Sequence, residues 1–210
     1  MLEPGSLLGI LRFQDGGDVS GAMRALVRGG IEQVEVTMDT PGALQAVAEV
    51  AEDGRTVGVG TVVDSEQVRA AEAAGARFVV SPGLVLDVIE TALSLGLEPV
   101  PGVFTATEIL AATAAGARVM KLFPASSGGP SYLRALRGPF PTIAIIPTGG
   151  VRIEEVQAYL QAGATAIALG SDLVGRVAPQ SDADLDWIAA QAARATAAVR
   201  DGVLSAQASV

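Results

Sequence analysis

Residues 54–81 read GRTVGVGTVVDSEQVRAAEAAGARFVVS. The segment opens at Gly54, continues through a β-branched run to Thr61, enters an alanine-rich stretch of helical period, stops at Gly75 and begins a second apolar run at Arg77. Strand, helix, glycine stop, strand is the signature of a parallel α/β unit. Parallel strands need a crossover between them, and glycine ends a helix because it takes the left-handed conformation at no steric cost.

The same joint recurs on both sides, at Gly30, Gly96, Gly116 and Gly163. A spacing of roughly 20 to 25 residues is what one strand, one helix and two short loops consume. Strands are expected over residues 7–13, 33–38, 56–61, 77–81, 98–101, 118–122, 143–147 and 165–169, each followed by a helix. Near-continuous apolar strands alternating with amphipathic helices describe a parallel sheet covered by helices, and eight equal units favour closure into a (β/α)8 TIM barrel. An open doubly wound sheet is the alternative. Residues 1–210 read as a single barrel domain, with a C-terminal amphipathic helix over about 182–201, a frayed end over 204–210 and no linker.

Composition bounds the chemistry. Half of the 210 residues are hydrophobic, enough for a sizeable core without disulfides or metals. No apolar run approaches the ~20 residues of a membrane span, so no membrane association is expected. The opening Met1-Leu2-Glu3-Pro4-Gly5 lacks the basic and apolar stretches of a secretory signal, and a cytoplasmic location is expected. A net charge of −9 argues against affinity for nucleic acid phosphates. The absence of cysteine removes thiolate catalysis and iron–sulfur ligation, and the absence of histidine removes the commonest acid–base and zinc-binding side chain. Catalysis must run on Lys, Glu, Asp, Tyr or a cofactor.

Lys121 is the single lysine, at the end of the sixth expected strand in Val119-Met120-Lys121-Leu122-Phe123. A lysine there either packs its stem while the ammonium reaches water, or faces the loops where barrel enzymes place their sites. Arginine cannot form an imine, because its guanidinium stays protonated; a desolvated lysine can lose its proton and attack a carbonyl. In Gln33-Val34-Glu35-Val36-Thr37 the polar residues share one strand face, which carries Glu35 into the barrel as a proton carrier or as half of a structural ion pair. Gly149-Gly150 and Gly170-Ser171 end the seventh and eighth strands. Their bare amides suit a phosphate there, against the blander reading of tight turns. Arg12 offers a planar fork for a carboxylate and Thr61 a hydroxyl beside two strand glycines; a surface arginine and an ordinary strand threonine are the alternatives.

These segments together resemble the 2-keto-3-deoxy-6-phosphogluconate aldolase family, which includes the 2-keto-3-deoxy-6-phosphogalactonate and 4-hydroxy-2-oxoglutarate aldolases. The likeness covers nearly the whole chain. It is carried by Val34-Glu35-Val36-Thr37 with Thr40-Pro41, Gly58-Val59-Gly60-Thr61-Val62, Ser81-Pro82-Gly83, Lys121-Leu122-Phe123-Pro124-Ala125, Pro147-Thr148-Gly149-Gly150 and Gly170-Ser171. The resemblance implies a trimeric (β/α)8 barrel that cleaves a 2-keto-3-deoxy-6-phospho sugar acid to pyruvate and glyceraldehyde 3-phosphate without metal or cofactor. It implies Lys121 as the Schiff-base lysine and Glu35 as the general acid/base. It assigns the substrate carboxylate to Arg12 and Thr61, the pocket walls to Pro82 and Phe123, and the phosphate to Gly149, Gly150, Gly170 and Ser171. One position departs from the pattern: many members carry an arginine four residues after the catalytic glutamate, and this chain has Asp39. Asp39 is expected to bind a sugar hydroxyl or to cap the following helix. A phosphate-binding isomerase or epimerase barrel and a non-catalytic ligand-binding barrel are the rival readings.

Overall fold

The computed structural model describes the backbone of residues 4–207 and the side chains of residues 4–201. Its strands are β1 (Ser6–Leu11), β2 (Gln33–Thr37), β3 (Thr56–Gly60), β4 (Phe78–Val80), β5 (Glu98–Val100), β6 (Gly102–Val103), β7 (Val119–Leu122), β8 (Ala144–Pro147) and β9 (Ala166–Leu169). Each expected run holds a strand, and the fifth is split. Pro101 has no N–H for the ladder, yet its carbonyl accepts from Lys121 N at 2.9 Å and keeps β5 and β6 on the edge of β7.

All pairings are parallel, in the orders β5-β4-β3-β2-β1-β9 and β6-β7-β8. The two sheets join at Pro101 on one side. On the other, Thr165 N donates to Ile145 O at 3.0 Å, bringing β9 beside β8. The curled sheet is therefore a (β/α)8 barrel and not an open sheet.

The helices α1 (Val19–Arg28), α2 (Ala43–Glu52), α3 (Ser65–Ala73), α4 (Leu86–Ser94), α5 (Ala106–Ala114), α6 (Gly129–Arg137), α7 (Val156–Gln161) and α8 (Ser171–Val174) follow the strands in turn. Local chemistry sets their ends. Asp64 caps α3 by accepting from Gln67 N at 2.8 Å, and Thr105 with Glu108 forms a capping box on α5. Gly75 closes the α3 unit at φ +86°, which an L side chain would resist. The last helix, α9 (Asp182–Gln207), runs past the expected end near residue 201, with no proline to stop it; residues 208–210 of the expected frayed end lie outside the described residues. Its buried stripe of Ile188, Ala192, Ala195 and Val199 packs on α1. The approach needs Gly29, where an added Cβ would sit 2.4 Å from both Ala189 O and Ala192 Cβ.

Strand alternation divides the apolar residues into two sets. Val34, Val36, Val57, Val59 and Val79 face the helices within the larger core. Leu8, Phe78, Val80, Val100, Ile146, Ala166 and Ala168 form the smaller cluster that fills the barrel interior. The Phe78 ring lies across Gly58 of the neighbouring strand, where an added Cβ would be 2.3 Å from the ring. Gly58→Ala is expected to lower the unfolding free energy by about 1–3 kcal/mol through overpacking. The Gly58→Ala/Phe78→Leu double variant should recover part of that loss. Urea denaturation of the single and double variants checks both.

Candidate active site

The inward face that holds Leu8, Val80 and Ile146 continues upward to the carboxyl ends of the strands. There, two-residue periodicity delivers Ile10 and Arg12 on and after β1, Glu35 and Thr37 on β2, Pro82 after β4, Lys121 and Phe123 on and after β7, Thr148 after β8, and Ala168 and Gly170 on and after β9. All of them line one cavity of about 870 Å³ at the barrel mouth. All ten candidate residues (Arg12, Glu35, Thr61, Pro82, Lys121, Phe123, Gly149, Gly150, Gly170 and Ser171) line that cavity.

Lys121 is 7% exposed and Glu35 1% exposed, above a cluster of aliphatic and aromatic side chains in the barrel interior. Burial dominates both titrations. It lowers the Lys121 pKa from its usual value; Glu35 opposes that shift and the Arg12 charge adds to it. It raises Glu35 from 4.5 to about 7, against the attraction of Lys121 and Arg12. Among the described residues neither group forms an ion pair within 4.0 Å, so the pair senses each other's charge without contact. The expected alternative of a structural ion pair for Glu35 is therefore not what the fold builds. Glu35 Oε2 is buried without a protein hydrogen bond, and Oε1 lies over Gly60, where an added Cβ would be 2.6 Å away. The glycine makes room for the carboxyl. Lys121 Nζ stands 4.7 Å from the Phe123 ring centroid, and that ring packs against Gly149.

Thr61 breaks the alternation. Val57 and Val59 of β3 face the helices, so an extended Thr61 would face them too. Instead its φ of +60° turns the side chain into the cavity. A β-branched residue in the left-handed region costs on the order of 1–3 kcal/mol. The turn brings Thr61 Oγ1 to Arg12 Nη2, which donates to it at 2.5 Å. Arg12 Nε also lies 3.7 Å from Asp39 Oδ1, with both side chains more than half exposed. Asp39 caps no helix: the N-cap of α2 is Gly42, with no side-chain cap. The expected capping role gives way to a place on the cavity wall beside Arg12. Across the mouth, Ile153 N donates to Asp172 Oδ2 at 2.8 Å and ties the Gly149–Gly150 turn to α8.

Among the lining residues that were not singled out by sequence are Thr37, Thr148 and Arg176. Thr37 and Thr148 are buried; the alternation that marks Glu35 also marks Thr37, and Thr148 sits in the quoted Pro147-Thr148-Gly149-Gly150 run. Arg176 follows α8 in an irregular loop whose sequence carries no period that could have placed it.

An amine and a carboxyl buried together at the carboxyl-end mouth of a (β/α)8 barrel define the class: a barrel enzyme with a polar site at its open rim. The chain belongs to the KDPG and KHG aldolase family, whose model matches residues 1–190. It is a carbon–carbon lyase. It is 40% identical over 157 residues to the 2-dehydro-3-deoxy-phosphogluconate aldolase of Pseudomonas aeruginosa, covering 73% of this chain and 71% of that one. It is 33% identical over 201 residues to the 2-dehydro-3-deoxy-6-phosphogalactonate aldolase of Escherichia coli K12, covering 94% and 96%. Its fold superposes with a TM-score of 0.80 on the KDPG aldolase of Legionella pneumophila with pyruvate captured as a covalent carbinolamine, at 28% identity over 91% of this chain and 94% of that one.

The raised Glu35 pKa carries a stability consequence of definite sign. Between 4.5 and about 7 the folded protein binds the Glu35 proton more tightly than the unfolded chain does. Stability from this group therefore falls as pH rises through that window and is constant above it, a loss of about 3 kcal/mol. Subtracting the pH dependence of Glu35→Gln from that of the unsubstituted protein should isolate this slope, measured by chemical denaturation from pH 4.5 to 8.

Proposed function

We propose that the chain is a class I aldolase that cleaves a 2-keto-3-deoxy-6-phospho sugar acid, of gluconate or galactonate type, to pyruvate and glyceraldehyde 3-phosphate. The observation that carries this reading is the Lys121–Glu35 pair: a desolvated amine that sheds its proton more readily than an exposed one, beside a carboxyl poised near pH 7. The neutral amine of Lys121 adds to the keto carbon. Glu35 supplies the proton with which the carbinolamine hydroxyl departs as water, leaving an iminium. Glu35, now ionised, takes the proton of the C4 hydroxyl. The C4 oxygen forms the aldehyde carbonyl, and the C3–C4 bonding electrons pass into the iminium to give an enamine. Protonation of C3 by Glu35 and hydrolysis of the resulting iminium release pyruvate and restore the amine. The iminium is the electron sink, so the reaction calls on no metal or cofactor.

The remaining residues orient the substrate. Arg12 and Thr61, joined by their hydrogen bond, take the substrate carboxylate, and Pro82 and Phe123 wall the reacting carbons. The amides at Gly149, Gly150 and Gly170, with the Ser171 hydroxyl, take the phosphate. Binding energy from that remote end positions the C3–C4 bond. The relatives' names and the captured carbinolamine of the Legionella protein support the substrate class and the covalent chemistry.

Incubation with pyruvate and borohydride is expected to leave a reduced adduct on Lys121, located by peptide mass spectrometry. Lys121→Arg should give no adduct, and Glu35→Gln should lower kcat for pyruvate release by about 10²–10⁴. A folded protein that forms no adduct would overturn the imine reading, and comparing gluconate-type, galactonate-type and 4-hydroxy-2-oxoglutarate substrates identifies the preferred one. We also propose a single cytoplasmic barrel domain that assembles as a homotrimer, following the family resemblance; exposed Leu86 and Leu110 provide apolar surface for an interface to cover. Light scattering should then return three times the 21.2 kDa chain mass.

A further inference from the structure

We propose that Arg176 is the side-chain cation that recognises the anionic end of the substrate remote from Lys121, and so sets the preference for phosphorylated over unphosphorylated 2-oxo acids. The inference rests on the aldolase reading above and concerns a residue to which that reading gives no part. Five charged side chains line the cavity: Arg12, Lys121 and Arg176 against Glu35 and Asp39. Two of the cations are committed. Arg12 donates to Thr61 and pairs with Asp39, and Lys121 is buried within the electrostatic reach of Glu35. Arg176 is exposed and has no hydrogen bond or ion pair among the described residues. The residues that line the cavity thus carry one surplus positive charge, in a protein whose net charge is −9.

Position in the barrel gives that charge a ligand end. Arg176 follows α8, the short helix that opens at Ser171, and lines the same cavity as Gly150, Gly170 and Ser171. Its loop follows β9, which pairs with β1, the strand that leads to Arg12, and lies beside β8, the strand that leads to Gly149 and Gly150. Arg12 serves the carboxylate end through Thr61, and Asp39 offsets its charge. A dianionic phosphate at the glycine turns meets backbone dipoles and one hydroxyl, none of which carries a full positive charge. Arg176 supplies it. A guanidinium suits the task because its planar donors can bond two phosphate oxygens at once. Gly175, at φ +72°, ends α8 and turns the chain into the loop that carries Arg176.

The test uses the full-length protein and the Arg176→Gln and Arg176→Lys variants, whose exposed site leaves the core untouched. For Arg176→Gln, the ratio of kcat/KM for the phosphorylated sugar acid to that for 4-hydroxy-2-oxoglutarate should fall roughly tenfold or more, mainly through KM. Inorganic phosphate should lose potency as a competitive inhibitor by a similar factor. Arg176→Lys should keep most of both. An unchanged ratio and unchanged phosphate inhibition in Arg176→Gln would overturn the assignment. Pyruvate trapping by borohydride separates the two failures: an adduct on Lys121 in both proteins with no change in the ratio refutes only the role of Arg176. Absence of the adduct in the unsubstituted protein refutes the aldolase reading beneath it.

Discussion

Burying an amine and a carboxyl in a hydrocarbon interior is the constraint around which the rest of the molecule is arranged. Each charge alone would cost several kcal/mol to desolvate, and the protein answers by moving both pKa values toward neutrality rather than by locking the groups into a contact pair. A contact ion pair would hold the proton on the amine and remove its nucleophilicity. Separation within the same cavity leaves both groups able to exchange protons, and the apolar interior below them contributes to the desolvation that shifts them. The smaller apolar cluster of Leu8, Phe78, Val80, Val100 and Ile146 is therefore part of the site's electrostatics as well as part of the core.

Keeping that arrangement requires empty space in the right places. Gly60 gives way to the Glu35 carboxyl, Gly58 to the Phe78 ring that floors the interior, and Gly149 to the Phe123 ring beside Lys121. At each of these positions a methyl group would push a functional or interior side chain aside. Thr61 is the counterpart, a bulky residue held in a left-handed conformation so that its hydroxyl meets Arg12. Strain at Thr61 and an unbonded oxygen on Glu35 are local costs that the surrounding β-ladder and helices must offset.

Much of this was legible before any coordinates. The two-residue alternation of β2 marked Glu35 as inward, the single lysine stood out against thirteen arginines, and the paired glycine motifs marked adjacent strand ends. The same alternation put Thr37 on the inward face, though it gave that residue no role. It would have misplaced Thr61, because a single positive φ reverses the face and no local pattern announces it. The role of Asp39 depended on a partner twenty-seven residues away: as a helix cap it would have answered to its own segment, whereas the observed ion pair joins the ends of β1 and β2. Arg176 lay in an aperiodic loop and carried no signal at all.

The sequence by itself determined the repeating strand–helix unit, the inward or outward sense of most strand residues, and the chemistry available to a chain without histidine or cysteine. These follow from period and residue type, which are local properties. Only the tertiary structure decided that the sheet closes, that Pro101 splits a strand without opening the barrel, and that Lys121, Glu35, Arg12 and Arg176 face one cavity. Distances between residues far apart in the chain, and the desolvation that sets their protonation, arise from the packing of all eight units at once. No single segment contains that information.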